Sequence, residues 1–239
     1  MSAVLFSGGL DSTVLLALER RDHARVWPIH VRSGLAWEPA EARVIARLLA
    51  HPRFAGQIEP LTTLTVDMRD VYPPTHWAIE GRPPAYNTPD EDVYLDGRNV
   101  VLTTKAAVWC ARHDVGRIAL GPLAGNPFPD ATPEFFSAMS RALSLGLGFE
   151  IALAAPLTGL HKEDVVKLGL ELGVPLELTL SCMNPDHGRH CGLGHQGVGC
   201  FCRRHDSYRD RRPAAPDRGR FRVRCGYRQP TARGAALER

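Results

Sequence analysis

Residues 3–13 have the sequence Ala3-Val4-Leu5-Phe6-Ser7-Gly8-Gly9-Leu10-Asp11-Ser12-Thr13. The apolar residues 3–6 predict a short β-strand, and residues 13–18 have the composition of a helix. Between them, two adjacent glycines allow the backbone to approach a ligand closely, and the free amides at the start of a helix attract anions. This order of strand, glycine turn and helix predicts a loop that binds phosphate groups. We call residues 7–12 the phosphate loop.

Two common nucleotide-binding patterns do not match the phosphate loop. A Walker A loop would continue with Gly-Lys-Ser or Gly-Lys-Thr, and the dinucleotide pattern Gly-x-Gly-x-x-Gly is absent from these residues. A tight turn in which Asp11 and Ser12 cap the helix is the alternative interpretation. We favour nucleotide binding. The predicted binding residues are Phe6, Ser7, Gly8, Gly9, Leu10, Asp11, Ser12 and Thr13.

Short β-type runs alternate with longer helical patterns beyond the phosphate loop. Strands are predicted at 26–31, 58–66, 117–120 and 150–154, and helices at 41–50, 99–112, 133–145 and 162–172. The helix at 99–112 is apolar on several sides, as expected of a buried helix. Alternation of this kind predicts an α/β fold with a doubly wound, mostly parallel sheet. The Pro-rich residues 72–96 form too long a connection for a simple turn, which favours a functional loop.

Composition limits the class of protein. The chain has 239 residues, of which 44% are hydrophobic and 23% charged, values typical of a globular domain. It contains no run of 18 apolar residues and no basic, apolar N-terminal signal, so we expect a cytoplasmic protein without a membrane span. Residues 210–239 carry nine Arg against three acidic residues, whereas the rest of the chain is mildly acidic. We therefore predict a disordered basic tail, with weak nucleic-acid contacts at most.

Four cysteines lie within 21 residues, namely Cys182, Cys191, Cys200 and Cys202. Without a secretory signal, such clustered thiols more often bind a metal than form disulfides. The alternatives are a lost site, or a reading-frame disruption near residue 193 that would also account for the Arg-rich tail. Cys110 lies in a predicted buried helix and is expected to be a core residue.

The phosphate loop resembles the signature of the PP-loop ATP pyrophosphatases. Four later stretches narrow the resemblance: Tyr94-Leu95-Asp96-Gly97-Arg98-Asn99 and residues 126–136, 156–162 and 177–182. In this order and spacing they are similar to the 7-cyano-7-deazaguanine synthase family, from residue 3 to about residue 208. The resemblance implies an adenine-nucleotide alpha-hydrolase-like domain at 1–178, a Cys-rich zinc-binding region at 179–209 and the tail at 210–239.

The resemblance also implies a reaction. The substrate 7-carboxy-7-deazaguanine would be activated by ATP and Mg²⁺ and attacked by ammonia, and a second activation of the amide would give the nitrile precursor of queuosine, releasing AMP or ADP-type products with pyrophosphate or phosphate. Asp11, Arg98 and Lys162 are the implied catalytic residues. Without the resemblance, Lys162 would be interpreted as a solvated surface lysine. For Arg98, an ion pair with Asp96 or another acid of the loop would be as good an interpretation as a functional role.

Three further expectations follow from the resemblance. The family spacing Cys-x8-Cys-x2-Cys-x2-Cys implies Zn²⁺ at Cys182, Cys191, Cys200 and Cys202 after a short insertion, and a homodimer is the family tendency. Residues 31–38 and 128–135 depart from the family pattern, which leaves a different carboxylate as an alternative acceptor. A tRNA-modifying PP-loop enzyme is a weaker alternative, because thiolation would need a cysteine partner for Cys110.

Overall fold

The structure is a computed structural model that describes residues 1–85 and 88–185. Strands and helices alternate along these residues. In chain order they are β1 Ser2–Leu5, α1 Leu10–Asp22, β2 Val26–Arg32, α2 Glu38–Ala50, β3 Thr62–Thr65, α3 Trp77–Glu80, α4 Arg98–Ala111, β4 Arg117–Ala119, α5 Pro133–Leu147, β5 Ala152–Ala154 and α6 Lys162–Glu171. Short 3-10 turns lie at Asp90–Val93, Pro129–Ala131 and Leu176–Leu178.

The five strands form one parallel sheet in the order β3-β2-β1-β4-β5. The prediction of an α/β fold with a parallel sheet is therefore confirmed. The chain leaves β1 toward β2 and β3, then returns to the other side of β1 to build β4 and β5. Ligands of open parallel sheets bind beyond the carboxyl ends of the strands where the order reverses, and the phosphate loop follows β1 at this point.

Helices cover both faces of the sheet. On one face α1, α2 and α6 pack together through buried side chains that include Val14, Ile45 and Val165. On the other face α4 and α5 pack on the sheet, with Cys110 fully buried as predicted. The contact between α1 and α6 is close at Gly169, because a Cβ atom there would lie 2.9 Å from a methyl group of Val14. None of the described helices has the length and apolar content needed to cross a lipid bilayer.

Several elements differ in their bounds from the sequence prediction. The strand predicted at 150–154 is Ala152–Ala154, and the helix predicted at 41–50 begins at Glu38. The strand predicted at 58–66 is Thr62–Thr65, and Pro60 before it has no amide hydrogen to donate to the sheet. Helix α4 was predicted to be buried, but it is not buried on all sides in the folded chain. Val100 and Val108 are 39% and 44% exposed, because only one face of α4 lies against the sheet. The predicted long connection at 72–96 contains one short helix and one 3-10 turn.

A buried carboxylate connects the first helix to the sheet. Glu19 is 3% exposed and accepts hydrogen bonds from the hydroxyl of Ser2 at 2.6 Å and from Nε and Nη2 of Arg117 at 3.0 and 2.9 Å. His23 Nε2 lies 3.1 Å from the same carboxylate. Burial alone would raise the pKa of Glu19, but the bonds from Arg117 and Ser2 outweigh it and lower that pKa. This network holds β1 and β4, the two strands that flank the phosphate loop, against α1.

Candidate active site

The phosphate loop turns sharply at Gly8. Its φ of 74° lies in the left-handed region that glycine adopts without strain. A Cβ atom at this position would also lie 3.1 Å from Ile45 and 3.2 Å from Val44 on α2. Both the conformation and the close approach of α2 therefore require glycine at residue 8.

Hydroxyl groups stabilise the inside of the loop. The hydroxyl of Ser12 accepts a hydrogen bond from the amide of Ser7 at 3.3 Å and donates one to the carbonyl of Gly9 at 3.1 Å. The hydroxyl of Thr13 donates to the same carbonyl at 2.7 Å. These bonds shape the loop before any ligand arrives, so that less ordering is needed on binding.

Lys162 is the first residue of α6, and its amine lies 2.8 and 2.7 Å from the two carboxylate oxygens of Asp11. The sequence separates these residues by 151 positions. Lys162 is therefore not a solvated surface lysine, although its side chain remains 37% exposed. The predicted pair of catalytic groups meets at the start of α1, where the helix dipole attracts the negative charge of phosphate groups.

The segment after the last 3-10 turn closes over the phosphate loop. The amide of Leu180 donates to the carbonyl of Gly8 at 3.0 Å, and the hydroxyl of Ser181 accepts from the amide of Leu10 at 3.1 Å. Leu180 and Cys182 are buried in the same core as α1. The residues that lead into the Cys cluster are thus part of the loop's own support. The domain boundary placed between residues 178 and 179 stays a prediction.

A cavity of about 440 Å³ extends from the phosphate loop across the carboxyl ends of β1, β2 and β4. Part of its wall is formed by residues of the loop and by Ser181. Other parts are apolar and aromatic, and the lining also contains side chains that carry or can acquire charge, among them His30, Glu41 and Arg98. A cavity lined in this way can hold a ligand that carries both phosphates and a ring.

Burial changes the electrostatic properties of the charged and titratable side chains on the cavity wall. Glu41 is 8% exposed, and burial raises the pKa of its carboxyl group to about 7, although Arg98 opposes this shift and Glu38 adds to it. Burial lowers the pKa of His30. Among the described residues, Nε of Arg98 and Nε2 of His30 have no hydrogen-bond partner although both atoms are buried. Buried polar atoms without partners on the wall of a cavity are typical of a ligand site.

The start of α4 places Arg98 on the cavity wall. Its N-cap, Gly97, has no side chain to cap the helix, and the carboxylate of Asp130 performs that role from a distant part of the chain. Asp130 accepts a hydrogen bond from the amide of Asn99 at 3.0 Å, and the Asn99 side chain donates to the Asp130 carbonyl at 3.0 Å. No ion pair joins Arg98 to Asp96 within the described part of the chain.

The structure separates the eight predicted binding residues, Phe6 to Thr13, into two groups. Those that line the cavity are Phe6, Ser7, Gly9, Asp11 and Ser12. The side chains of Leu10 and Thr13 are fully buried, and Gly8 faces α2, so these three residues support the loop. The amide of Thr13 donates to the Gly9 carbonyl at 3.0 Å. It is therefore not one of the free amides at the start of α1, because the first helical hydrogen bond occupies it.

The predicted zinc ligands fall mainly outside the described residues. Cys182 is 5% exposed and lines the cavity, whereas Cys191, Cys200 and Cys202 lie beyond residue 185. Within residues 1–85 and 88–185, no group of three or more His, Cys, Asp or Glu side chains is placed to hold a metal ion. The zinc site stays a prediction.

Sequence reasoning missed four residues of this site. His30 and Glu41 have no local motif, and only the pairing of β1 with β2 and the packing of α2 bring them to the cavity. Ser181 and Asp130 were within stretches that resembled the family, but nothing in those stretches showed that one supports the loop and the other caps α4. A polar residue inside an apolar strand, as at His30, was the one signal that could have been used.

Comparison with known proteins finds a family model and curated relatives that match most of the chain. A family model for "Queuosine biosynthesis protein QueC" matches residues 1–209. The 7-cyano-7-deazaguanine synthase of Methanopyrus kandleri is 35% identical over 206 residues, covering 80% of this chain and 88% of that protein. The enzyme of the same name from Aquifex aeolicus is 32% identical over 193 residues, covering 75% and 85%.

Among solved structures, a 4-thiouridine synthetase–RNA complex with bound ATP is similar at a TM-score of 0.48 and 17% identity, over 85% of this chain and 50% of that chain. A likeness this weak bears on neither ligand nor function. The family match and the two relatives are sufficient by themselves, since they span most of each chain. The resemblance predicted from the sequence is confirmed, and the chain belongs to the queuosine biosynthesis protein QueC family of enzymes.

Proposed function

We propose that this chain catalyses the ATP-dependent conversion of 7-carboxy-7-deazaguanine and ammonia to 7-cyano-7-deazaguanine. The observation that carries the proposal is the single cavity that is lined by the phosphate loop and also by Arg98 and Glu41. Such a cavity can bring the α-phosphate of a nucleotide next to a carboxylate on a ring. Membership of the QueC family supports this choice of reaction.

The proposed chemistry has two activations. A carboxylate oxygen of the substrate attacks the α-phosphorus of ATP, and pyrophosphate leaves. Ammonia then attacks the acyl carbon, AMP leaves with the carboxylate oxygen, and loss of a proton gives the amide. In the second activation the amide oxygen attacks the α-phosphorus of another ATP, and pyrophosphate leaves. Loss of AMP and of the two amide protons then leaves the nitrile. Each activation replaces a poor leaving group by a phosphate ester.

The phosphate loop and Lys162 would act on the departing pyrophosphate. Because the Lys162 amine lies beside the loop, it can stabilise negative charge that develops on the β-phosphate, and the start of α1 adds a favourable dipole. Asp11 offers carboxylate oxygens suited to Mg²⁺, which commonly binds one or two carboxylates together with substrate phosphates. When bound, Mg²⁺ would neutralise phosphate charge. Arg98 lines the same cavity and would also stabilise the ATP phosphates.

A mass-resolved turnover assay tests the proposal. Full-length protein would receive ATP, Mg²⁺, ammonium and 7-carboxy-7-deazaguanine, with Asp11→Asn as the variant and Asp22→Asn as its control on the same helix. Asp22 is an exposed partner of Arg21, far from the loop. We expect AMP, pyrophosphate and the nitrile from the parent and from Asp22→Asn, and at least a tenfold slower turnover from Asp11→Asn. Absence of AMP with every carboxylate tried would contradict the proposal.

A related function is our second candidate: the same chemistry on a different carboxylate. Both stretches that depart from the family pattern contribute to the cavity wall, through Val31 and Trp37 in one stretch and Phe128 and Asp130 in the other. Phe128 also stacks on Tyr94 with ring centroids 5.1 Å apart. AMP formation that requires another acceptor in the same assay would favour this candidate. A tRNA-modifying role has no comparable observation behind it.

The remaining expectations from the sequence are part of this proposal. We propose a cytoplasmic enzyme that binds Zn²⁺ through Cys182, Cys191, Cys200 and Cys202 and forms a homodimer. Size-exclusion chromatography with light scattering would test the dimer. Deletion of residues 210–239 should leave ATP turnover intact if the basic tail has no catalytic role.

A further inference from the structure

A buried imidazole lies on the cavity wall at the end of the sheet. His30 belongs to β2 and is 4% exposed, and its Nδ1 lies 3.1 Å from the carbonyl oxygen of Phe6. Because a carbonyl oxygen can only accept, Nδ1 must carry the hydrogen of this bond. Burial lowers the pKa of His30, which favours the neutral ring. In a neutral ring with hydrogen on Nδ1, Nε2 is a hydrogen-bond acceptor.

That acceptor is unused within the described part of the chain. Nε2 of His30 is buried and has no hydrogen-bond partner there, and the residue lines the cavity. Buried polar atoms are nearly always paired, so an orphaned acceptor on a cavity wall indicates a donor supplied by the ligand. The ring cannot turn freely to find another partner, because the bond to Phe6 fixes its orientation.

We propose that Nε2 of His30 accepts a hydrogen bond from the exocyclic amino group of a purine-type base bound in the cavity. Both bases of the proposed reaction carry such a group, the adenine of ATP and the deazaguanine of the acceptor, so the inference rests on the proposed function. In open parallel sheets the phosphates bind after β1 and the nucleoside extends toward the neighbouring strand. His30 lies in that strand and is joined to Phe6 at the entrance of the phosphate loop.

Two variants separate this role from a structural one. The amide nitrogen of Asn occupies nearly the same place as Nδ1, so His30→Asn keeps a donor for the Phe6 carbonyl but loses the Nε2 acceptor. The longer side chain of Gln can place an oxygen near the position of Nε2, so His30→Gln supplies the acceptor. A merely structural histidine would be replaced better by Asn, whereas the proposed role predicts partial rescue by Gln.

The experiment measures binding without turnover, by calorimetry on full-length protein. One arm compares ATP with purine riboside triphosphate, which lacks the 6-amino group. The other arm compares 7-carboxy-7-deazaguanine with its analogue that lacks the 2-amino group. For one of the two pairs, we expect the parent protein to lose roughly tenfold in affinity when the amino group is removed, and His30→Asn to bind both members equally.

The base is identified by the arm in which His30→Asn no longer distinguishes the ligand with the amino group from the ligand without it. If this happens in the ATP arm alone, the inference is supported even when the chain acts on a different carboxylate. The two proposals can therefore fail separately. The inference is overturned if His30→Asn discriminates both pairs as the parent does, or if neither pair is discriminated. Thermal unfolding of each variant would show whether a loss of binding reflects a loss of fold.

Discussion

The hydroxyl of Ser181 accepts a hydrogen bond from the amide of Leu10 at 3.1 Å, although 171 positions separate the two residues. Leu10 begins α1, so this bond involves one of the first amides of the helix that follows the phosphate loop. Ser181 directly precedes Cys182, the first predicted zinc ligand. The region that contains the Cys cluster is thereby connected to the loop that we expect to bind ATP.

Loss of this hydroxyl should weaken ATP binding without unfolding the protein. Ser181→Ala removes the bond to Leu10 and frees the loop, and we expect the KM for ATP to rise about five- to tenfold with a smaller change in kcat. Ser137→Ala on the exposed face of α5 is the matched control. Steady-state kinetics would measure both, and an unchanged KM in Ser181→Ala would show that the bond does not position the loop.

Removal of the Lys162 charge should slow the chemical step. In Lys162→Met the Asp11 carboxylate loses its partner, and the departing pyrophosphate loses a nearby cation, so we expect kcat/KM to fall on the order of a hundredfold. Lys167 on the same helix pairs with Asp164 at the surface and has a 66% exposed side chain. Lys167→Met should retain activity. Equal rates in both variants would contradict a catalytic role for Lys162.

The Glu19 network should contribute to stability in a pH-dependent way. Arg117→Met leaves a buried carboxylate without its main partner, and we expect a loss of about 2 kcal/mol in the free energy of unfolding, below the usual range for buried pairs because Arg117 is 32% exposed. Arg21→Met breaks only a surface pair and should leave the free energy of unfolding nearly unchanged.

The sign of that pH dependence follows from the lowered pKa of Glu19. Since the folded pKa lies below the unfolded value of 4.5, the network stabilises the protein fully above that pH, and the benefit disappears as the pH falls through the folded pKa. Urea unfolding at pH 7 and at pH 3.5 would measure it. A difference between parent and Arg117→Met that is the same at both pH values would exclude this explanation.

Glu41 should make the stability of the protein depend on pH in the opposite direction to Glu19. Burial raises its pKa to about 7 from 4.5, so the folded protein holds a proton that the unfolded chain releases, and this stabilisation is lost as the pH rises from 4.5 through 7. Glu41→Gln imitates the protonated form. We expect the variant to gain on the order of 3 kcal/mol over the parent at pH 8 and less than about 1 kcal/mol at pH 5. Equal stabilities at pH 8, measured by urea unfolding, would show that Glu41 is not desolvated.

The Cys cluster should bind one Zn²⁺ per chain. Metal analysis of purified protein would measure zinc, and Cys182→Ser should reduce its content because a serine hydroxyl is a poor zinc ligand. Cys225→Ser is the control, since Cys225 lies outside the predicted ligand set. Purified parent protein without zinc would instead support a lost metal site or a reading-frame disruption near residue 193.

The class of the fold and the place of the nucleotide loop could be predicted from local patterns. An apolar run before Ser7 and a helical pattern after Asp11 define a strand, a turn and a helix through short-range periodicity and glycine geometry. Asp11, Arg98 and Lys162 were also predicted as catalytic residues, but through the resemblance to a family. Periodicity alone would have left Lys162 at the surface, because its partner lies 151 residues away.

Local patterns and the order of the motifs were enough to predict the alternation of strands and helices, the glycine turn and the family. Three relationships could be read only from the folded chain: Lys162 meets Asp11, Ser181 supports the loop, and His30 and Glu41 share a cavity with Arg98. They join residues far apart in the chain, and contact across the sheet depends on strand order and helix packing. Desolvation, which shifts the pKa values of His30 and Glu41, arises only once those layers have assembled.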